Sequence, residues 1–312
     1  MDTQNTNVHD SWQEQRHQLL SLATYPRRMV DGIWLKVIGF IFTLIDHIGL
    51  IFGPEVLGEV CYQVLRCTGR CAFPIFVFLA IEGVYHTRNY WRYFGRLAIM
   101  AIVLDAFCYV VYYAFPETGG MLTPGNVFTD LALGSLVIYL FRRNDKWTML
   151  ALLPIAYLVL SDFTVYRQGA DGIYALIPAG VASDYGTYGL LIFIAMYFGY
   201  ELGFRYIRWR SAQAGLDPEA VAPRRMRLIL NGGAAIGLLA VGCLFQLIWM
   251  IFGFTPIEPG ISWAWESYSM IGAAFIMLYD GRPGTTKKAV RYPLYLFYPV
   301  HLIILYLISL AV

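Results

Sequence analysis

The sequence predicts an all-α fold: a polytopic transmembrane helical bundle of about nine spans (eight to ten), with the N-terminus inside. Three observations predict it. The composition is too apolar for a water-soluble core, apolar runs of bilayer length follow one another along the chain, and basic residues gather in alternate connections.

Hydrophobic residues make up 58% of the chain and charged residues 14%, against roughly a quarter charged in an ordinary soluble domain. Mean hydropathy is +0.54. One soluble core cannot absorb this much apolar sequence, so the surplus belongs in lipid. The 23 Tyr and 8 Trp suit rings stationed at headgroup level. The net charge of +2 decides nothing by itself; the placement of the charges does.

A span needs about 20 mostly apolar residues. In chain order the candidates are Ile33–Phe52, Cys71–His86, Phe94–Phe115, Leu122–Phe141, Trp147–Asp162, Tyr185–Phe204, Leu228–Phe252, Ala264–Tyr279 and Tyr292–Leu310. A tenth run, Gly172–Ala182, is short and contains Pro178, which suits a re-entrant or interfacial piece. Residues 1–30 are polar and precede the first apolar run, the wrong order for a secretory signal. They read as a mobile cytoplasmic tail with a short interfacial helix near Trp12–Leu22, ahead of a transmembrane domain over 31–312.

The basic residues test this count. The tail and the connections Arg88–Arg96, Arg142–Lys146, Arg205–Arg227 and Arg282–Arg291 hold 19 of the 23 Lys and Arg; the alternate connections hold only Arg66, Arg70 and Arg167. The positive-inside rule makes the rich set cytoplasmic. Alternation then works only if Asp162–Asp184 stays on one side, which rejects the tenth span. The longest hydrophilic connection, Arg208–Arg227, carries no P-loop, zinc motif or GxGxxG, so neither a soluble catalytic appendage, a metal site nor a nucleic-acid partner is expected. Cys61, Cys67 and Cys71 lie close together among five cysteines. They read as small buried or idle thiols ahead of a disulfide.

Ionisable groups at membrane depth are costly, so each is a functional candidate set against the plainer reading of a residue bonded to a neighbouring helix. The first span holds Lys36, Asp46 and His47. Eleven residues at about 100° each bring Lys36 and His47 to one face, roughly 16 Å apart along the axis. A cation at the inner mouth and an imidazole deep inside suit a long donor with an anionic head, the shape of acetyl-CoA. The plainer alternative is a snorkelling lysine and a histidine bonded within the bundle. Asp46 points elsewhere on the helix.

In the second span Glu82 and His86 share a face, and His86-Thr87-Arg88-Asn89 at the boundary offers donors to an anionic group, although Arg88 alone is equally a snorkelling residue. Asp105, Asp130, Glu201 and Glu266 are single acids in apolar runs with no telling spacing, and Asp184-Tyr185-Gly186 suits a cap on the sixth span. His301 lies near mid-depth of the last span, beside Pro299. Two intramembrane histidines fit acyl transfer, proton movement or metal transport alike.

Five blocks narrow the choice: LKVIGFIFTLIDHIG, GRCAFPIFVFLAIEGVYHTRN, NVFTDLALG, DYGTYGLLIFIAMYFGY and YPLYLFYPVHLIIL. In this order, from about Leu35 to the end of the chain, they resemble the TraX family. That family comprises bacterial inner-membrane proteins of conjugation systems, the pilin N-acetylase and TrbP-type pilus biogenesis proteins among them. It is similar in turn to integral-membrane acyltransferases with a basic or polar residue eleven positions ahead of a histidine.

The resemblance implies a membrane acyltransferase with acetyl-CoA as donor and a pilin of a type IV secretion system as acceptor. It makes His47 the base or acyl carrier, with Asp46 beside it. Lys36 becomes the upstream partner, while Arg70, Glu82, His86, Arg88, Asn89 and His301 line the site. Cys71 and Asp130 depart from the family's pattern, and the tail and the Arg208–Arg227 connection match nothing in it. A TrbP-like member that uses a non-acetyl donor, a proton-coupled transporter relaying through Asp46, His47, Asp105 and His301, and a non-catalytic assembly factor are the competing classes.

Overall fold

A computed structural model describes residues 14–24, 30–114, 126–168, 183–252, 266–285 and 287–311. Among them there is no strand beyond two isolated bridges, Val30 to Tyr279 and Asn126 to Ser183. Helix α1 covers 14–22. There follow α2 (Gly32–Leu57), α3 (Glu59–Gly69), α4 (Ala72–His86), α5 (Tyr90–Ala114), α6 (Val127–Arg143), α7 (Leu152–Gln168), α8 (Gly186–Gln213), α9 (Pro223–Phe252), α10 (Gly272–Met277) and α11 (Lys288–Ser309).

A helix stands in every one of the nine apolar runs read from the sequence. The tenth run, 172–182, lies outside the described residues. Four helical segments are long and apolar enough to cross a membrane: Gly32–Leu57, Glu59–His86, Gly186–Gln213 and Pro223–Ile251. The protein is thus an all-helical membrane protein. Tyr268–Met277 and Leu296–Ser309 are shorter apolar helical segments.

The first three long helices frame the site. Asp31 caps α2, its side chain accepting from the N–H groups of Ile33 and Trp34. At Gly53 (φ 62°) the helix breaks just ahead of Pro54, where a positive φ favours glycine. After Gly58 the chain doubles back, and α3 packs along the end of α2. A Cβ at Gly69 would collide with the Cβ of Asp46, so glycine there sets how closely α3 approaches. The α4 helix continues in line with α3 and runs back along α2, where Gly39 meets the ring of Phe76.

The α8–α9 pair is closer still. A Cβ on Gly199 would strike the backbone of Gly233, and one on Gly237 that of Ala195. Small residues every fourth position (Ala195, Gly199, Gly203; Gly233, Gly237) let the two backbones touch, the packing that lipid-embedded helices use. The core runs from α1 through α4, α6, α8 and α9, with Leu19, Phe78, Phe193, Tyr200 and Leu238 fully buried.

Two expectations change here. The short helix expected near Trp12–Leu22 is α1, but it is docked on the bundle and not part of a mobile tail: Leu19, Leu20 and Ala23 are buried, and Arg16 pairs with Glu201 at 2.6 Å. The Arg208–Arg227 connection is mostly helical, because α8 runs on to Gln213 before Gly215 takes a positive φ of 64°, and Pro223 starts α9 where its missing N–H costs nothing. All five cysteines are free thiols.

Candidate functional site

A cavity of about 470 Å³ opens between α2, α3, α4, α5, α6 and α11, bordered by the turn at Asp184–Tyr185. This is the size of a small-molecule site. Helix α2 gives it a whole face: Ile33, Lys36, Phe40, Thr43, His47 and Leu50 line it at intervals of three and four, together with Asp46. Helical periodicity thus brings Lys36 and His47 to one cavity, with about 16 Å of helix between them.

Near Lys36 the lining is His86, Thr87, Tyr93 and Arg96. Because α4 runs opposite to α2, its last turn meets the first turns of α2. Behind His86, Glu82 is buried and fully bound. It meets His86 Nε2 at 3.1 Å, accepts from Arg227 Nη1 at 2.7 Å, and accepts from the Tyr200 hydroxyl. Arg227 is 0% exposed, and its Nε donates to the carbonyl of Ala23 at 3.0 Å. Glu82 therefore does not line the cavity; it ties α4 to α8, α9 and the end of α1 and fixes His86 above them. Arg88 and Asn89 also stay out of the lining. Asn89 Oδ1 accepts from the Arg92 N–H at 3.0 Å, capping α5, and Arg88 is exposed.

At the other end Asp46 is bound by arginines. Arg66 Nη1 lies 2.8 Å from Oδ2 and Arg70 Nη2 3.7 Å from Oδ1, while Arg70 Nη1 reaches Glu266 at 3.2 Å. The cluster of two cations and two anions braces α2, α3 and the segment ahead of α10. Asp184 faces the cavity close by, with Tyr185 stacked on Phe73 at 3.7 Å between ring centres. His47 is not bonded to Asp46. Its Nδ1 lies 2.6 Å from Nε2 of His301, whose Nδ1 lies 2.8 Å from the Phe297 carbonyl. His301 is buried behind His47, outside the lining.

The middle of the cavity is apolar, with Phe40, Phe76, Leu79 and Leu97. Chemically the whole is a channel with cationic donors at one end, a hydrocarbon waist, and an imidazole beside a charge cluster at the other. Among the described residues no group of His, Cys, Asp or Glu gathers as a metal site would. The other lone acids have partners as well. Asp105 meets the Asn126 amide at 2.6 Å, Glu201 takes Arg16 and the Tyr85 hydroxyl, and Asp130 accepts from the N–H groups of Asp184, Tyr185 and Gly186. Asp130 is thus the carboxyl that caps α8 from a different helix.

The sequence reading missed Arg66, Arg96, Asp184 and Tyr185 in the lining and Arg227 in the core. Arg66 carried a signal, since it and Arg70 lie one turn apart ahead of an apolar run. Arg227, at the edge of a basic connection, carried none.

The chain is 27% identical over 282 residues to the probable fimbrial assembly protein FimC, serogroup H1, of Dichelobacter nodosus, covering 87% of this chain and 92% of that protein. It is 29% identical over 110 residues to the uncharacterized protein RP591 of Rickettsia prowazekii, which is 35% of this chain and 37% of that one. No solved structure matches it. The family described as TraX protein matches residues 32–309, so the helices that build the cavity all fall within the match, and the chain belongs to the TraX family.

Proposed function

We propose that this chain is an acyltransferase of the bacterial inner membrane that passes an acyl group, acetyl from acetyl-CoA, to a pilin. The observation that carries the reading is the single cavity with Lys36 at one end and His47 at the other. Lys36 and Arg96, with His86 and Thr87, suit the phosphates of the donor, and the apolar waist suits its arm. On the nine-span topology, with the N-terminus and the basic connections inside, this mouth opens to the cytoplasm, where acyl-CoA is made. Membership of the TraX family and the likeness to a probable fimbrial assembly protein support a pilus subunit as the acceptor.

The reaction needs one base. As the acceptor's amine or hydroxyl attacks the thioester carbonyl, its proton passes to His47. The carbon–sulfur bond breaks, and the proton leaves His47 for the sulfur, so CoA departs as the thiol. Asp46 contributes through Arg66 and Arg70, whose positive charge faces the end of the cavity where an oxyanion would form.

The test uses full-length protein in lipid nanodiscs with acetyl-CoA and the cognate pilin, read by intact mass. An acetyl-sized gain on pilin is expected, lost in His47→Ala. An unchanged pilin mass with the wild type, or unchanged turnover in His47→Ala, overturns the reading. Substrate flux in proteoliposomes without any acyl donor would turn it toward a transporter.

A further inference from the structure

We infer that His301 is a positioning residue that fixes the tautomer of His47, keeping Nδ1 protonated and presenting Nε2 to the cavity as the lone-pair nitrogen. The catalytic consequence rests on the acyl-transfer reading above; the geometry does not. Three groups stand in a chain. The Phe297 carbonyl has only lone pairs, so His301 Nδ1, 2.8 Å away, must carry a proton and donate it. A neutral imidazole with a proton on Nδ1 has its lone pair on Nε2. That nitrogen lies 2.6 Å from His47 Nδ1, which must therefore be the donor. The lone pair of His47 is left on Nε2, the nitrogen not engaged by His301. A hydrogen bond at one ring nitrogen thus decides the chemistry of the other.

The ring geometry agrees with a bond in line. The two imidazole planes lie 5° apart and their centres 4.9 Å apart, the separation of rings meeting edge to edge through one short contact. Tyr298 stands edge-on to both, at 83° to His47 and 84° to His301, and the Phe297 ring lies 4.7 Å from His301. A flip of His47 would put a carbon where Nδ1 donates and lose the bond to His301. The opposite tautomer requires a cationic His301, buried at 6% exposure against the rings of Phe297 and Tyr298.

During transfer the acceptor's proton moves to Nε2 of His47, and the resulting imidazolium keeps its Nδ1–H on His301. That bond to a charged ring is stronger than the one in the resting state. His301 touches neither substrate in this scheme. It holds the base in orientation and steadies the charge as it forms.

Nitrogen NMR of isotope-labelled histidine in the full-length wild-type protein reads the tautomer without any turnover. Proton on Nδ1 and lone pair on Nε2 of His47 are expected; the opposite tautomer overturns the proposal. Two variants read the consequence. His301→Leu removes the bond and is expected to lower kcat about 100-fold, with KM for acetyl-CoA within about threefold of wild type. His301→Gln keeps an acceptor for His47 and a donor for Phe297, and is expected to recover to within about tenfold.

A glutamine variant as inactive as the leucine variant would mean that His301 moves protons itself. A leucine variant at the wild-type rate would mean that it does nothing. Should His301→Leu fail to fold, the glutamine variant and the NMR measurement still decide. Absence of acetyl-CoA turnover in the wild type would sink the acyl-transfer reading alone, with the tautomer settled separately.

Discussion

Asp46 shares its carboxylate between Arg66 and Arg70, and Arg70 reaches on to Glu266, so the acid next to His47 in sequence belongs to a different network in space. Removing one partner from a buried ion pair leaves the other uncompensated, typically at a cost of about 3–5 kcal/mol. Asp46→Ala is accordingly expected to lower stability by about that much, read as thermal or denaturant unfolding of the purified protein. Glu266→Gln, at the edge of the same cluster, should cost less, because Arg70 retains Asp46. Equal losses in the two variants would show the cluster to be held some other way.

The contrast between residues also shows what a sequence can disclose. Lys36 and His47 lie within one helix, where spacing alone fixes a shared face, so their meeting in one cavity is legible. The partners of Asp46, Asp130 and Glu201 come from α3, α8 and α1. No local pattern records such a pairing, and each acid reads in isolation as an anomaly.

At the scale of elements, the helices are held by close approach and by caps. Where Gly199 and Gly233 meet, no side chain fits between α8 and α9. A bulky residue there must push two long helices apart, since backbone cannot yield as a flexible side chain does. Gly199→Leu is expected to destabilise by about 1–3 kcal/mol or more, and to lower folded yield in membranes, measured by fluorescence-detected size exclusion. Gly232, one residue away with no atom near its would-be Cβ, provides the control: Gly232→Ala should leave the yield unchanged. Apolar periodicity finds α8 and α9 readily, and their small residues hint at an interface. It does not say which helix each glycine faces.

The α8 start depends on Asp130, which takes three backbone N–H groups from another helix. Asp130→Ala is expected to cost about 2 kcal/mol and to disturb the adjacent Asp184–Tyr185 border of the cavity. Restoration of half the loss by Asp130→Asn would assign it to accepted hydrogen bonds rather than to charge. By contrast, the short turn after α6 advertises itself: Asp145 and Thr148 form a reciprocal cap three residues apart. Arg143 holds the Asp145 carboxyl below the usual range. That contribution is fully present above the ordinary carboxylate value and fades as pH falls through the lowered one.

Over the whole molecule, residues 14–24 bear on the cavity through a path that composition conceals. Residues 1–30 are polar overall, yet α1 buries Leu19 and Leu20, seats Arg16 on Glu201, and gives the Ala23 carbonyl to Arg227. Arg227 in turn holds Glu82, which holds His86 at the cavity wall. The segment works as a strap across α4, α8 and α9. Two apolar residues among many polar ones do not announce this, because it takes only one buried turn to dock a helix.

Leu19→Ala should cost about 2–5 kcal/mol if the strap contributes as its burial implies. Deleting residues 1–24 leaves Glu201 and Arg227 each short of a partner, so its effect should exceed that of the leucine change without equalling a simple sum. The functional consequence is local. Since the strap braces His86 rather than His47, its loss should weaken donor binding and leave the chemical step of bound donor intact. Binding of acetyl-CoA and single-turnover rates, measured on Leu19→Ala at a temperature where it stays folded, separate the two. Weakened binding with a wild-type single-turnover rate is expected; a slowed chemical step with unchanged binding would show that the strap reaches the far end of the cavity instead.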